Sequence, residues 1–132
     1  MKLIQIIIES DGVTIAQIRK KWTDSEFGPS DPFTINNGWC SEFAMYLKAW
    51  HPDLTFWSDY PEHAFVQING KLYDAETENG VKNWQQLHYY QDHMLIKNRT
   101  PNPQPVSFEK FCEIWGYNVQ DAIEMNKKII QN

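Results

Sequence analysis

A chain of 132 residues has the length of one ordinary domain. Hydrophobic residues make up 42% of the chain and aromatic residues 14%, a composition that excludes intrinsic disorder. The formal net charge of −5, with no long run of Lys and Arg, excludes the basic stripe that binding to a nucleic-acid backbone requires. No apolar run is long enough to span a bilayer. We therefore predict a single domain over residues 1–132 that binds neither nucleic acid nor a membrane.

The cysteine content and the N-terminal sequence predict a cytoplasmic location. Cys40 and Cys112 lie far apart in the sequence, and a secreted domain of this size usually carries more cysteines. The first residues lack the apolar stretch and cleavage site of a signal peptide. Two reduced thiols are the expected state, although a single bridge is also compatible with the sequence.

The first third of the chain predicts mainly helices. The apolar run Leu3–Glu9 fits either a buried strand or a short helix. Thr14 is a suitable N-cap for a helix over Ile15–Trp22. The turn-rich stretch Thr23–Asn37 is expected to be a loop. A second helix is predicted over Trp39–Trp50, because apolar residues share one face there and Pro52 ends it.

The middle of the chain predicts a small antiparallel sheet. Leu54–Ser58 suits a short strand. The runs His63–Ile68 and Lys71–Asp74 are joined by Asn69-Gly70, a pair typical of a two-residue type I′ hairpin.

The last third of the chain predicts a connector and two helices. Trp84–Tyr90 suggests a helical turn, and Thr100–Pro105, with three prolines, suggests a connector. Ser107 is a suitable cap for a helix through Trp115. A last amphipathic helix is predicted over Val119–Ile130.

The register of the predicted hairpin determines which side chains meet. With Asn69-Gly70 as the loop, Phe65 faces Asp74 and His63 faces Glu76, and all four lie on one side of the sheet. Asp74 is then a diagonal neighbour of His63, with Cα atoms roughly 7–8 Å apart. A carboxylate at that position orients an imidazole and stabilises its cation. Glu76 is the alternative carboxylate for this role.

Cys40 lies at the predicted start of the second helix. A thiol attacks as its thiolate, and the free N–H groups and positive dipole end of a helix N-terminus favour that anion. The backbone N–H of Cys40 is also available to stabilise an oxyanion. A nucleophilic thiol, a general base and an orienting carboxylate therefore follow one another along the chain.

Three short motifs resemble the papain-like superfamily, and most closely its transglutaminase-like branch. They are Gly38-Trp39-Cys40-Ser41-Glu42-Phe43-Ala44, His63-Ala64-Phe65-Val66 and Leu72-Tyr73-Asp74. The resemblance covers roughly residues 36–76. It implies an α+β fold in which a nucleophile helix packs on a small antiparallel sheet flanked by further helices. It also implies Cys40 as nucleophile, His63 as base and Asp74 as orienting acid, with no cofactor.

The oxyanion position departs from the papain pattern. Papain-type enzymes place a Gln several residues before the Cys, and here that region reads Phe33-Thr34-Ile35. Asn36, Asn37 and Trp39 are the candidate replacements. The spacing Gly38-x-Cys40-x-Glu42 is also similar to arylamine N-acetyltransferases, which are much longer chains.

The resemblance implies a small hydrolase or acyl transferase, of thiol protease, amidase or deamidase type, acting on a protein or peptide-like amide or thioester. The alternative is a non-catalytic binding or inhibitor module on the same scaffold, of the kind encoded by phages and mobile elements. A helix-turn-helix regulator is disfavoured by the acidic charge. His88 and His93 are five residues apart, which does not suit a metal site on one helix face. Cys112 is expected to be a core residue.

Overall fold

The computed structural model describes residues 13–92 and 100–131. The predicted segment Leu3–Glu9 and His93 lie outside the described residues. The described chain has a mixed α+β architecture, in which a five-stranded antiparallel sheet with strand order β4-β3-β2-β1-β5 is flanked by helices. Among the helices described, none is long and apolar enough to cross a membrane.

The helices and strands alternate in blocks along the chain. From residue 13 onward, the described part has three helices, then four consecutive strands, then a mixed C-terminal part. The helices are α1 (Ile15–Asp24), α2 (Pro32–Asn36), α3 (Cys40–Trp50), α4 (His88–Asp92), α5 (Phe108–Trp115) and α6 (Val119–Gln131), with a 3₁₀ turn at Trp84–Gln86. The strands are β1 (Thr55–Asp59), β2 (His63–Ile68), β3 (Lys71–Asp74), β4 (Thr77–Val81) and β5 (Gln104–Val106).

The first predicted helix is confirmed as α1. Thr14 caps it with a reciprocal capping box to Gln17, and Ile15, Ile18 and Trp22 are buried along one face. The helix runs two residues beyond the predicted end at Trp22.

The prediction of one continuous loop over Thr23–Asn37 is wrong at its C-terminal end. Asp31 caps the short helix α2 by accepting from the Thr34 N–H, and Pro32 occupies its first turn. The same Asp-Pro pair that reads as a turn signal is therefore a helix start. The helix α3 begins at Cys40, one residue after the predicted start.

The predicted β2–β3 hairpin is confirmed in register. Gln67 pairs with Leu72 and Ile68 with Lys71. Asn69 and Gly70 both have positive φ, 52° and 82°, as a type I′ turn requires. However, β3 ends at Asp74, and Glu76 lies in the turn that leads into β4. The prediction that Glu76 lies opposite His63 on the ladder is wrong, because the chain turns before reaching that register position.

The edge strands were not predicted from the sequence. The strand β4 carries Asn79 and Gly80 and alternates poorly, so its own pattern is weak. The strand β5 includes Pro105 and lies at the sheet edge beside β1, where a missing N–H is tolerated. The predicted connector therefore contains a short edge strand.

The two faces of the sheet bury different groups. Ala64 and Val66 of β2 belong to the main core, together with buried residues of α1, α3, α5 and α6. Phe65 and Leu72 belong to a second cluster with Leu87, Tyr89 and Tyr90. By strand alternation, His63 lies on the same side of β2 as Phe65.

The two C-terminal helices are confirmed and pack on the main core. Ser107 caps α5 by accepting from the Lys110 N–H, and Gly116 ends it in the left-handed conformation. Cys112 is completely buried in this core, as predicted. Ala122 and Ile129 of α6 are buried in the same cluster.

Candidate active site

Cys40 is the first residue of α3. Its N-cap is Trp39, whose side chain makes no capping hydrogen bond, so the first N–H groups of the helix have no intrahelical partner and no side-chain cap. Gly38, with φ of 148°, lets the chain turn from α2 into α3. Cys40 and Cys112 are both free thiols. Cys40 therefore lies at the end of the helix where the backbone N–H groups have no intrahelical partner.

His63 and Asp74 form a buried pair. His63 Nε2 donates to Asp74 Oδ2 over 2.9 Å. The side chains are 0% and 2% exposed, respectively. The diagonal relationship predicted from the hairpin thus brings the two side chains into direct contact.

The Asp74 carboxylate is held from several sides. Its Oδ1 accepts the backbone N–H of Glu76 over 3.0 Å. The neighbouring side chains of Thr77 and Asn36 help to lower its pKa. Because both oxygens are engaged, the carboxylate is fixed in the orientation that meets His63.

The second nitrogen of the His63 ring is directed away from Asp74. Within the described residues, Nδ1 is buried and makes no hydrogen bond of standard geometry. The Cys40 side chain is nevertheless close enough to contribute to the raised pKa of His63. One ring nitrogen is therefore bonded to the carboxylate, and the other, buried and without a hydrogen bond in the described residues, belongs to a ring that has the thiol as a neighbour.

The electrostatics of the pair favour the charged imidazole. Burial by itself lowers the pKa of His63, but the hydrogen bonds and charges of Asp74 and Cys40 outweigh it and raise the pKa to about 9. Burial raises the pKa of Asp74, but the hydrogen bond and charge of His63 outweigh it and lower that pKa. The geometry thus stabilises an imidazolium beside a carboxylate at neutral pH.

The α4 segment covers the imidazole. The Tyr89 ring stacks on the His63 ring with centroids 4.0 Å apart and planes inclined by 6°. The Tyr89 hydroxyl donates to the Glu62 carbonyl oxygen over 3.1 Å, and the Tyr90 hydroxyl donates to Asp59 Oδ2 over 2.8 Å. These two bonds hold α4 against both ends of the β1–β2 turn. The Tyr89 ring is thereby kept over the His63 ring and shields it from water.

The thiol is less enclosed than the imidazole. Cys40 keeps 9% of its surface exposed, whereas His63 has none. The crevice between Cys40 and Asp74, lined also by Asn36 and Phe65, is too small to hold a water molecule. Gly38, Trp39 and Glu42 are exposed beside Cys40. Among the described residues, the exposed surface next to Cys40 is therefore at the N-terminal end of α3.

The candidate oxyanion and cleft residues lie in different places. Asn36 is buried, and its Nδ2 donates to Glu76 Oε1 over 2.8 Å. Asn37 is exposed and donates to the Phe33 carbonyl oxygen. Trp39 is 39% exposed at the start of α3.

Two contributions to the site have no signal in the sequence pattern. Tyr89 covers the ring from a segment that reads only as a helical turn. Tyr117 lies just after the end of α5, and its hydroxyl is 3.0 Å from Ser41 Oγ. Ser41 also donates to Glu42 Oε1. Burial raises the pKa of Tyr117 to about 12, and the neighbouring Glu42 charge adds to this rise. Tyr117 therefore borders the nucleophile as a neutral phenol.

The described residues hold no metal-ligand cluster. Over 13–92 and 100–131, no three His, Cys, Asp or Glu side chains gather in a way that could bind an ion. His88 lies 3.5 Å from Glu76 Oε2 at the surface.

The fold and site define an α+β domain with a buried His–Asp pair next to a cysteine at a helix N-terminus. No protein-family model matches this chain, and no curated protein or solved structure is significantly similar to it.

Proposed function

We propose that the chain is a cysteine-dependent hydrolase or acyl transferase of the peptidase, amidase or deamidase type, on a papain-like or transglutaminase-like core. The observation that carries this proposal is that the two nitrogens of the His63 ring have different surroundings. One nitrogen is bonded to a buried carboxylate, and the other is unpaired and near the Cys40 thiol. A buried imidazole used only for structure would be expected to have both nitrogens satisfied.

The proposed reaction starts from an ion pair in which the Cys40 thiol proton already lies on His63, in keeping with the raised pKa of that imidazole. The sulfur then attacks the carbonyl carbon of an amide or thioester, and the carbonyl electron pair moves onto oxygen. The backbone N–H of Cys40 donates to that oxygen, as an unpaired N–H at a helix start can. His63 returns the proton to the leaving amine or thiol, which leaves an acyl group on Cys40.

The second half of the reaction releases the acyl group. Water, or an amine in the transferase case, attacks the thioester carbonyl while His63 takes its proton, and the Cys40 sulfur leaves. Asp74 remains ionised throughout and keeps the ring oriented. No cofactor is required for any of these steps. A protein or peptide-like amide or thioester is the proposed substrate.

The deciding experiment measures the rate at which iodoacetamide alkylates Cys40 as a function of pH. Because an imidazolium partner persists to about pH 9, we expect fast alkylation already at pH 6. In His63→Ala the rate at pH 6 should fall by at least about tenfold. The same samples should form a thioester on Cys40 with p-nitrophenyl acetate only when His63 is present.

Two controls make the experiment specific. Cys112 is completely buried, so it reports on unfolding in the same alkylation assay. His51→Gln removes a histidine at the C-terminal end of α3, the opposite end of that helix from Cys40, and should leave the Cys40 rate unchanged. If His63→Ala does not fold, Asp74→Asn serves in its place. The proposal of an enzyme is refuted by a Cys40 alkylation rate that rises tenfold per pH unit up to about pH 8.5 and is the same in His63→Ala and Asp74→Asn.

A non-catalytic binding or inhibitor module is the second candidate. The observation that favours it is the tight closure of the crevice at Cys40, which offers no room for a substrate without rearrangement. This candidate predicts that Cys40 behaves as an ordinary thiol and forms no acyl intermediate. The cytoplasmic location also stays a prediction, compatible with the two free thiols.

A further inference from the structure

The turn between β3 and β4 holds the Asp74 carboxylate through a peptide group that is itself bonded at its other end. The N–H of this peptide group, from Glu76, donates to Asp74 Oδ1 over 3.0 Å. The carbonyl oxygen of the same peptide group belongs to Ala75, which is 1% exposed. That oxygen accepts a hydrogen bond from Arg19 Nη1 over 3.1 Å. One peptide group therefore lies between a guanidinium and the carboxylate that bonds His63.

Arg19 reaches this turn from α1, and a second contact fixes it there. The same Nη1 donates to Glu78 Oε2 over 2.8 Å, and the two side chains are 24% and 39% exposed. Because Nη1 carries two protons, it can serve both acceptors at once. A partly exposed ion pair of this kind adds little to stability, but it holds the guanidinium next to the Ala75 carbonyl oxygen.

We propose that Arg19 is a positioning residue that acts on Asp74 through the peptide group that follows Ala75. This role rests on the proposed function, since it concerns the orientation of the carboxylate that holds His63. A peptide group is planar and trans, so its C=O and N–H point in opposite directions. With the Ala75 oxygen fixed against the guanidinium, the Glu76 N–H is aimed at the carboxylate.

The charge of the guanidinium adds an electronic effect to this geometry. A cation at the carbonyl oxygen polarises the peptide group and makes its N–H a stronger donor, as happens along chains of hydrogen bonds. Arg19 thereby stabilises the ionised Asp74 from one peptide group away. A cation in direct contact with Asp74 would instead form its own ion pair and compete with the imidazole.

The test compares two methionine variants at neighbouring positions of α1. Arg19→Met keeps a long apolar stem and removes the donor to Ala75. The chemical shift and the hydrogen exchange of the Glu76 amide are recorded by NMR at pH 7. In Arg19→Met this signal should move upfield and exchange about fivefold faster, as expected for the weakening of one hydrogen bond. Lys20→Met is the matched control, because it removes an exposed ion pair with Asp24 within α1, and it should leave both measurements unchanged.

A merely structural role for Arg19 gives a different result. Lower overall stability would speed the exchange of the Leu47 amide, in the middle of α3, together with that of Glu76, and would leave the Glu76 chemical shift in place. That result, or a Glu76 amide that does not change at all, overturns the proposal. If Arg19→Met does not fold, Arg19→Gln is measured instead, because its polar side chain ends well before the position of Nη1.

The alkylation of Cys40 separates this proposal from the proposed function. If Cys40 of the unsubstituted chain reacts like a free thiol while the Glu76 amide depends on Arg19, the enzyme is refuted and the coupling of Arg19 to Asp74 stands. If Cys40 is reactive, its alkylation rate at pH 6 should fall several-fold in Arg19→Met, because the imidazole is less well oriented. A reactive Cys40 whose rate is the same in both methionine variants overturns the positioning role and leaves the enzyme in place.

Discussion

The aromatic ring of Tyr89 lies parallel to the imidazole of His63, with centroids 4.0 Å apart and planes inclined by 6°. The contact links a segment after the sheet to the His–Asp pair within it. Since both side chains are buried, Tyr89 excludes water from one face of the imidazole. The strength of the His63–Asp74 interaction depends on this low-dielectric surrounding.

Removing the Tyr89 ring should loosen the site. In Tyr89→Ala we expect stability to fall by about 3 kcal/mol, because a large buried side chain is lost. Alkylation of Cys40 at pH 6 should slow by several-fold, since water reaching the pair weakens the interaction of His63 with Asp74 and leaves the ring less well oriented. Chemical denaturation and the iodoacetamide assay measure the two effects.

Tyr89→Phe is the matched control for this prediction. It keeps the stacked ring and removes the hydroxyl that donates to the Glu62 carbonyl oxygen, which should cost about 1 kcal/mol. Its Cys40 alkylation rate should match that of the unsubstituted chain. A Phe variant as slow as the Ala variant would mean that the hydroxyl, and not the ring, supports the site.

The state of His63 should depend on the Asp74 charge. Asp74→Asn removes the acceptor that outweighs burial, so the pKa of His63 should fall from about 9 to its ordinary value or below. The ring signals of His63 in an NMR titration measure this shift directly. A pKa that stays near 9 in Asp74→Asn would show that Cys40 alone sustains the imidazolium.

The sequence predicts the local part of this site well. The Asn69-Gly70 pair determines the hairpin register, and that register brings His63 to Asp74 without any knowledge of the tertiary structure. The start of α3 near Cys40 follows in the same way from Gly38 and the apolar spacing.

Other parts depend on distant packing and could not be predicted. Glu76 does not pair with β2 because the chain turns after Asp74, and no Gly or Pro in the sequence indicates that turn. Asn36 appears in the sequence as a cleft candidate, but the contact with Glu76 forms only when α2 packs near the β3–β4 turn. Tyr89 gives no periodic signal that would place it on His63. These positions are determined by long-range contacts and not by local propensity.

The buried imidazole should make stability dependent on pH in the alkaline range. The pKa of His63 is raised from 6.5 to about 9 in the folded chain. Its stabilising contribution is then fully present below about pH 6.5 and is lost as the pH rises through about 9. The shift corresponds to about 3 kcal/mol. Urea denaturation at pH 6 and at pH 9.5 should show a loss of this size.

Two variants test whether His63 causes the loss of stability at alkaline pH. In His63→Gln the difference between pH 6 and pH 9.5 should largely disappear. In His88→Gln it should remain, because His88 is 48% exposed and lies outside the buried pair. Equal stability of the unsubstituted chain at both pH values would contradict the raised pKa.

A capping residue introduced at the start of α3 should raise the stability of the helix and, if it is charged, lower the reactivity of Cys40. Trp39 is the N-cap residue and provides no side-chain hydrogen bond. An Asn or Asp there can accept from the free N–H groups and stabilise the helix by about 1 kcal/mol. Part of that gain is lost with the edge-on contact between Trp39 and Trp22, whose ring centroids are 6.5 Å apart.

The two caps differ in charge and therefore in their effect on Cys40. Trp39→Asp places a carboxylate beside the thiol, and its repulsion of the thiolate should slow alkylation at pH 7 by about tenfold relative to Trp39→Asn. The Asn variant has nearly the same size and the same capping bond, so packing and capping cancel in the comparison. If the two variants alkylate at equal rates at low ionic strength, Cys40 does not react as a thiolate at the helix start, and the nucleophile assigned to this site is wrong.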